Sequence, residues 1–404
     1  MSVPLLKLAD RPVLVLFSGG DAPGMNACLR ALARLGINRH NVPILAVRQG
    51  YRGLVEAARQ ARTVDGLASL KHQIETSTGR LGLIDRKQQL ILMDHASVSA
   101  IVRIGGIILG SARCKEFLQP AVRAEVIALL KELNVRGIVI CGGDGSLAGA
   151  ELLAKESNLK VVGIPATIDN DLDYTEMALG VDTAVNTVAE NVDRFKDTAK
   201  SHRRVMVLEV MGRASGELAR LAAIASGAEM VVTPRHALKA ADVTKLAESL
   251  AAGLRQGRSH AIVMVAEGVA FEPEIMRNDP RPFAVPDDPD QPPAQPVLRN
   301  RAYVLADAFQ DYFAKTDDLN DLEIRPSVLG HLQRGGDATP GDAILAAKFA
   351  EAAMRQVMDE SAGNGITALQ YGRVKVVPFG AEALPDRQEI MSSMDDLHGI
   401  MSSW

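Results

Sequence analysis

The feature that most constrains this chain is a repeated unit, a short and almost wholly apolar run that stops at a turn residue. Val13-Leu14-Val15-Leu16-Phe17 ends in Ser18-Gly19-Gly20, and Ile138-Val139-Ile140-Cys141 ends in Gly142-Gly143. Val161-Val162-Gly163-Ile164 stops at Pro165, the run 205–210 at Met211-Gly212, and the run 261–266 at Glu267-Gly268. Runs without polar alternation suit strands covered on both faces, as in a parallel sheet. Helical patterns lie between them, over 27–35, 121–133, 184–197, 216–226, 241–254 and 341–358. Strand–helix alternation predicts βαβ units and a doubly wound α/β fold. At roughly 100–200 residues per domain, a chain of 404 residues predicts two or three domains.

Three segments break the rhythm. Residues 66–95 are polar and irregular and read as a hairpin or excursion. The stretch from Glu272 to Pro296 holds eight prolines and reads as a surface loop over 272–298. The tail 391–404 reads as a packed helix or a frayed end. Charge narrows the partners. Lys plus Arg number 45 and Asp plus Glu 49, a formal charge of −4. That balance offers no bulk basic face for a phosphate backbone, so no nucleic-acid partner is expected. No run approaches the roughly 18 apolar residues of a membrane span, and residues 1–10 lack a signal pattern. A cytoplasmic protein without a membrane partner is expected. Cys28, Cys114 and Cys141 give neither a disulfide framework nor a zinc-ligand spacing.

Chemistry concentrates where the apolar runs end, the place where open α/β sheets bind ligands. Gly-Gly-Asp recurs at 19–21, 142–144 and 335–337, the first two directly after strands. The segment Gly19 to Asn26 joins a buried strand to a helix through glycines, and free amides there favour an anion. Gly142-Gly143-Asp144-Gly145-Ser146 repeats the geometry and adds a carboxylate. A carboxylate beside phosphates is repulsive unless a cation sits between them, which Mg²⁺ would supply. A plain N-capping role for Asp144 or Ser146 is the simpler alternative. Thr167-Ile168-Asp169-Asn170-Asp171 follows the run ending at Pro165. In extended backbone, alternation puts Thr167, Asp169 and Asp171 on one side. A hydroxyl and two carboxylates there suit a general base with metal-water binding, and an Asx turn is the alternative. Arginines at Arg113, Arg203, Arg204, Arg213, Arg325 and Arg334 lie near the ends of apolar runs, and Arg reads phosphate bidentately. No Gly-x-x-x-x-Gly-Lys-Ser/Thr loop is present. Two phosphate-bearing ligands, a divalent cation and an aspartate base together describe phosphoryl transfer.

These residues resemble the 6-phosphofructokinases. The similar segments are 19–26, 110–113, 142–146, 165–171, 211–213, Glu267 and 330–336, in the family's order. The resemblance implies two doubly wound, mostly parallel-sheet domains. One, 1–180 plus about 334–380, would bind the phosphoryl donor; the other, 181–333 plus about 381–404, would bind a sugar phosphate. It implies that Gly19, Arg113, Cys114, Gly142, Gly143, Asp144, Gly145, Ser146 and Gly149 hold the donor, with Asp144 facing Mg²⁺. Asp169 would take the proton from the 1-hydroxyl of fructose 6-phosphate, with Thr167 and Asp171 positioning that hydroxyl and a metal water. Arg213 would neutralise the transferred group. Thr167, Ile168, Asp169, Met211, Gly212, Arg213 and Glu267 would contact the sugar, and His331 and Arg334 its 6-phosphate. Arg204 and Arg325 would reach in from a neighbouring subunit, implying a homodimer or homotetramer.

The implied product is fructose 1,6-bisphosphate, with ATP as donor. Pyrophosphate-using relatives carry aspartate where Gly145 stands and lysine where Ala166 stands. A carboxylate at 145 would repel the α-phosphate of ATP, whereas glycine leaves room. Pyrophosphate stays open as the alternative donor, because Ala166 matches neither pattern. Two further alternatives are another ketose phosphate as acceptor and a non-catalytic nucleotide-sensing subunit.

Overall fold

The computed structural model describes residues 7–76, 88–276, 300–385, 393–395 and 397–399. Its strands, in chain order, are β1 (Val13–Ser18), β2 (Ile44–Val47), β3 (Leu90–Met93), β4 (Gly137–Gly142), β5 (Lys160–Pro165), β6 (Val205–Val210), β7 (Met230–Val232), β8 (Ala261–Ala266), β9 (Ile324–Val328), β10 (Gly365–Gln370) and β11 (Arg373–Val377). The chain divides into two compact units, Met1–Ala184 with Arg334–Arg387, and Val185–Gln333 with Gln388–Trp404. The expected α/β class with parallel sheets is what forms.

The first unit carries a sheet ordered β11-β10-β5-β4-β1-β2-β3. It is parallel through β10-β5-β4-β1-β2 and closes antiparallel at β3 and β11. The continuous apolar runs end up where their composition sends them. Leu14, Leu16, Ile138 and Ile140 are fully buried against Leu54, Val55, Leu129 and Leu130 of the Gly50–Ala61 and Pro120–Glu132 helices. Burying such a side chain stabilises by roughly 1.5–3 kcal/mol relative to leaving it exposed. β1 lies between β2 and β4, so the chain leaves it toward both sides, which makes β1/β4 a topological switch point. Register places Ser18 opposite Gly142 and Gly142 opposite Pro165. The C-terminal ends of β1, β4 and β5 are therefore level, about 4.8 Å apart from strand to strand.

The described residues within 66–95 differ from the hairpin or excursion expected. A helix spans Gly66–Thr76, burying Leu70 and Ile74 while its polar residues face water, and β3 pairs antiparallel with β2. The polar composition of 66–76 is the wet face of an amphipathic helix, and residues 77–87 lie outside the described ones.

The second unit carries a wholly parallel sheet ordered β7-β8-β6-β9. Val210 lies opposite Ala266, and Glu209 opposite Val328, so β6, β8 and β9 also finish level. The Arg301–Phe313 helix buries Leu305, Phe309 and Phe313. The described tail residues 393–395 and 397–399 are helical. Asp395 accepts from Arg220 at 2.5 Å and pairs with Arg235, and His398 Nε2 donates to the Ala228 carbonyl at 2.9 Å. Those residues are packed rather than frayed. The proline-rich loop lies outside the described residues from 277 to 298. No described helix is long and apolar enough to cross a membrane.

Candidate active site

In the first unit the three level strand ends open into the three turns singled out in the sequence. After β1, Gly19 takes φ +89°, a conformation that costs glycine nothing and other residues strain. A Cβ at Gly19 would lie 3.1 Å from Ser146 Oγ, which places the first turn against the second. Ser111 Oγ donates to the Gly19 carbonyl at 2.6 Å, bringing the segment that carries Arg113 to the same place. Asn26 is fully buried. Its amide donates to the Ile104 carbonyl at 2.9 Å and its Oδ1 accepts from the Ile108 amide at 2.9 Å. It holds the approach to Gly110 rather than a ligand.

After β4, the Asp144–Glu156 helix starts at once, with Gly143 as N-cap and no side-chain cap bond. The capping alternative for Asp144 therefore does not hold. Its carboxylate and Gly145 are exposed at a helix N-terminus, where the unpaired amides and helix dipole favour an anion. Gly149 sits one turn further in. A Cβ there would meet the Tyr51 hydroxyl at 3.0 Å, and that hydroxyl donates to the Ser146 carbonyl at 2.8 Å. Glycine at 149 makes room for Tyr51, which stacks on Phe117. Cys114 packs against the hydrophobic core, and burial raises its thiol pKa.

After β5, the extended alternation expected for residues 167–171 does not form. The backbone bends at Ile168 and Asp169, and Asn170 takes φ +47°. Thr167 Oγ1 accepts from the Asp169 amide at 3.2 Å, so a local turn, not alternation, brings hydroxyl and carboxylate together. Asn170 pins the return of the chain: its amide donates to the Glu176 carbonyl at 3.1 Å and its Oδ1 accepts from the Ala178 amide at 2.9 Å. Asp169 is only 2% exposed and Ile168 fully buried. A Cβ at Gly143 would stand 3.5 Å from Thr167 Cβ, so the second and third turns touch. All three turns of this unit share one place.

The oxygen-only donor set fits Mg²⁺. The negative charges of Asp144 and Asp171 both add to burial in raising the pKa of the Tyr174 phenol. Among the described residues no group of three or more His, Cys, Asp or Glu could cage a metal. Mg²⁺ needs none, since it binds through one or two carboxylates plus substrate phosphates.

The second unit gathers a different set. Glu267 follows β8, and its Oε1 accepts from the Gly212 amide at 3.3 Å and the Arg213 amide at 2.9 Å. A Cβ at Gly268 would fall 2.0 Å from the Arg213 carbonyl, so only glycine lets the two turns pack so closely. Gln333 Oε1 accepts from the Met211 amide at 3.1 Å, and its Nε2 donates to the Gly330 carbonyl at 3.0 Å. Met211, Gly212, Arg213, Glu267 and the turn bearing His331 thus form one cluster at the strands' C-terminal ends. Arg334 lies elsewhere: its guanidinium sits over Gly20 and donates to the Asp21 carbonyl at 3.1 Å, in the first unit. Arg204 and Arg325 are also apart from this cluster. Both sit at the other end of β6 and β9 and pair with Glu323, Arg325 at 3.1 Å.

The sequence reading missed several polar residues. Glu209, near the end of β6, accepts from the Ala302 amide at 3.1 Å, and burial raises its pKa. Burial lowers that of Arg301, and both Glu209 and Glu267 oppose the loss of its charge. A lone glutamate in an otherwise apolar strand was the available signal. Asp342, fully buried, accepts from the Gly180 and Thr183 amides, each at 2.8 Å, and from the Thr183 hydroxyl at 2.6 Å. Nothing local in the sequence marks it.

Comparison with known proteins agrees with this arrangement. The profile of the family described as phosphofructokinase matches residues 12–357. The chain is 34% identical over 364 residues to ATP-dependent 6-phosphofructokinase 1 of Clostridium perfringens, covering 90% of this chain and 91% of that one. It is 34% identical to the ATP-dependent 6-phosphofructokinase of Halothermothrix orenii, covering 96% and 98%. Among solved structures it is similar to phosphofructokinase from Saccharomyces cerevisiae, with TM-score 0.72 and 26% identity over 97% of this chain. It spans only 48% of that yeast chain. A pyrophosphate-dependent phosphofructokinase from Nitrosospira multiformis shares the fold, with TM-score 0.67 and 19% identity over 93% of this chain and 86% of that one.

Proposed function

Since the chain belongs to the phosphofructokinase family, we propose that it is an enzyme that transfers a phosphoryl group from ATP to the 1-hydroxyl of fructose 6-phosphate. The observation that carries this reading is the level finish of β1, β4 and β5, which sets a helix N-terminus, an exposed carboxylate and Asp169 in one place. The relatives named above that share about a third of the residues are ATP-dependent, and glycine at 145 leaves the room a nucleotide needs.

In this reading the first compact unit, close to the expected 1–180 plus about 334–380, binds the donor. Gly19, Arg113 and residues 142–146 hold its phosphates through amides and positive charge. When bound through Asp144, Mg²⁺ would neutralise charge on the donor's phosphates. Asp169 takes the proton from the sugar's 1-hydroxyl, and the turn that ties Thr167 to it fixes where the carboxylate stands. Burial strips competing water from this base. The second unit holds the sugar phosphate. Glu267 locks the backbone of Gly212 and Arg213, so that Arg213 is presented rigidly to the charge that develops during transfer. His331 lies beside that cluster as a 6-phosphate contact. Arg334, placed over Gly20, serves the donor side or turns to the 6-phosphate when the sugar binds.

Initial rates with fructose 6-phosphate test the assignment directly. Turnover is expected with ATP and Mg²⁺, to fall to background without the metal, and to be far slower with pyrophosphate. Faster turnover with pyrophosphate would overturn the donor, and binding of ATP without turnover of any sugar phosphate would favour a nucleotide sensor.

A further inference from the structure

Asp342 is a fully buried carboxylate that the reaction as described does not use. It stands in the first turn of the Pro340–Met358 helix and reaches across to the segment before the Val181–His202 helix. Its Oδ1 accepts from the Gly180 amide at 2.8 Å. Its Oδ2 accepts from the Thr183 amide at 2.8 Å and the Thr183 hydroxyl at 2.6 Å. A carboxylate is costly to bury unless donors satisfy it, and bonds to a charged acceptor are the strong ones. The Thr183 bonds satisfy the start of a helix, as a cap does. The Gly180 bond lies outside the helix, and it bears on the chain beside Asp169. Leu179 donates its amide to the Pro165 carbonyl at 3.0 Å and accepts from the Thr167 amide at 3.1 Å. The Ala178 amide donates to Asn170 Oδ1 at 2.9 Å. Thr167 Oγ1 in turn accepts from the Asp169 amide at 3.2 Å. Residues 178–180 are thus the wall on which the turn carrying the base rests. Gly180 takes φ +103° at the corner of that wall. Glycine permits the corner but has no side chain to hold it, so the anchor comes from outside.

We propose that Asp342 is a positioning residue for the base: through Gly180 it holds residues 178–180 against Thr167 and Asn170, and so fixes where the Asp169 carboxylate stands. This deepens the reading of Asp169 as the base and rests on it. Asp342 acts on turnover and not on substrate affinity, because it works through the base turn alone.

Asp342→Ala keeps the Cβ and removes both oxygens. Steady-state rates with ATP, Mg²⁺ and fructose 6-phosphate are expected to show kcat about a hundredfold lower, the loss that a displacement near 1 Å brings, with both KM values kept within about twofold. Asp342→Asn turns its one oxygen to the Gly180 amide and its NH₂ to the Thr183 hydroxyl, and is expected to recover most of kcat. Thr183→Val cuts the hydroxyl bond but spares the one to Gly180, so the melting temperature is expected to fall and kcat to stay. A kcat for Asp342→Ala near that of the unaltered protein would overturn the proposal. So would a kcat that follows melting temperature across the three variants, which would mark Asp342 as a stabilising residue only. If Asp342→Ala does not fold, hydrogen exchange of the unaltered protein decides. The Gly180 and Thr167 amides are expected to be protected alike, and free exchange at Gly180 with Thr167 still protected would overturn the role. Full turnover by Asp169→Asn would remove the base itself, whereas lost turnover there beside normal kcat in Asp342→Ala removes this role alone.

Discussion

Gly145 is the second residue of the Asp144–Glu156 helix, and no atom lies within 4 Å of where its Cβ would stand. The fold therefore does not require glycine there, and the proposed donor site supplies a reason for it. A carboxylate at this position would meet a phosphate about 5 Å away at a cost near 3 kcal/mol for an effective dielectric constant of 20. The helix itself would welcome the charge, since acidic residues in a first turn oppose its dipole. Gly145→Asp is expected to weaken ATP binding roughly tenfold or more while leaving the melting temperature within a degree or two of the starting protein. Titration calorimetry and thermal unfolding check both halves, and unchanged ATP affinity would show that no α-phosphate passes residue 145. Asp169 and Asn170 make the complementary point. The motif suggested a base at Asp169, but not that Asn170 takes φ +47° and gives its side chain to the Glu176 carbonyl and the Ala178 amide. Local bonds of this kind compete with extended backbone wherever Thr, Asn and Asp follow a strand, which is why period-two reasoning failed over 167–171.

Elements were legible in proportion to how completely they are buried. The five runs read as strands are the central ones, β1, β4, β5, β6 and β8, whose residues are almost all buried. β9 and β11 escaped notice because exposed positions and interposed polar residues interrupt their apolar pattern, and β10 because Thr367 and its terminal Gln370 interrupt its own. β2, β3 and β7 are only three or four residues long. The Gly50–Ala61 helix was hidden by its own glycines: Gly53 approaches the Arg48 carbonyl so closely that a Cβ would fall 1.8 Å from it. The start of the Asp144–Glu156 helix was legible but its extent was not, because a glycine-rich turn and a helix share residues 144–149. Strand ends, by contrast, are where glycine and charge interrupt apolar runs, and that interruption is what made the site visible. Register was beyond reach: nothing in the residues states that Ser18, Gly142 and Pro165 lie side by side.

At the scale of the whole molecule, the proposed role of Arg204 and Arg325 toward the sugar phosphate requires a second copy of the chain. Arg204 precedes β6, whereas Met211 follows it, and the six residues of strand between them span roughly 20 Å at about 3.3 Å each. Neither arginine reaches its own unit's sugar cluster across that length, so a role toward the sugar phosphate belongs to the cluster of a neighbouring subunit. Arg325→Ser and Asp169→Asn, each inactive alone, are expected to regain part of the activity when co-expressed and purified as a mixed oligomer, because some sites then receive both intact groups. Sedimentation as a monomer, or no recovery in the mixture, would contradict a shared site. The claim on which the rest depends is that Asp169 is the base. The most direct measurement is turnover of Asp169→Asn with ATP, Mg²⁺ and fructose 6-phosphate, beside calorimetric affinities for each substrate. A fall of roughly 10²–10⁴-fold in turnover with both affinities kept within about twofold is the expected result, and turnover near that of the unaltered protein would contradict it.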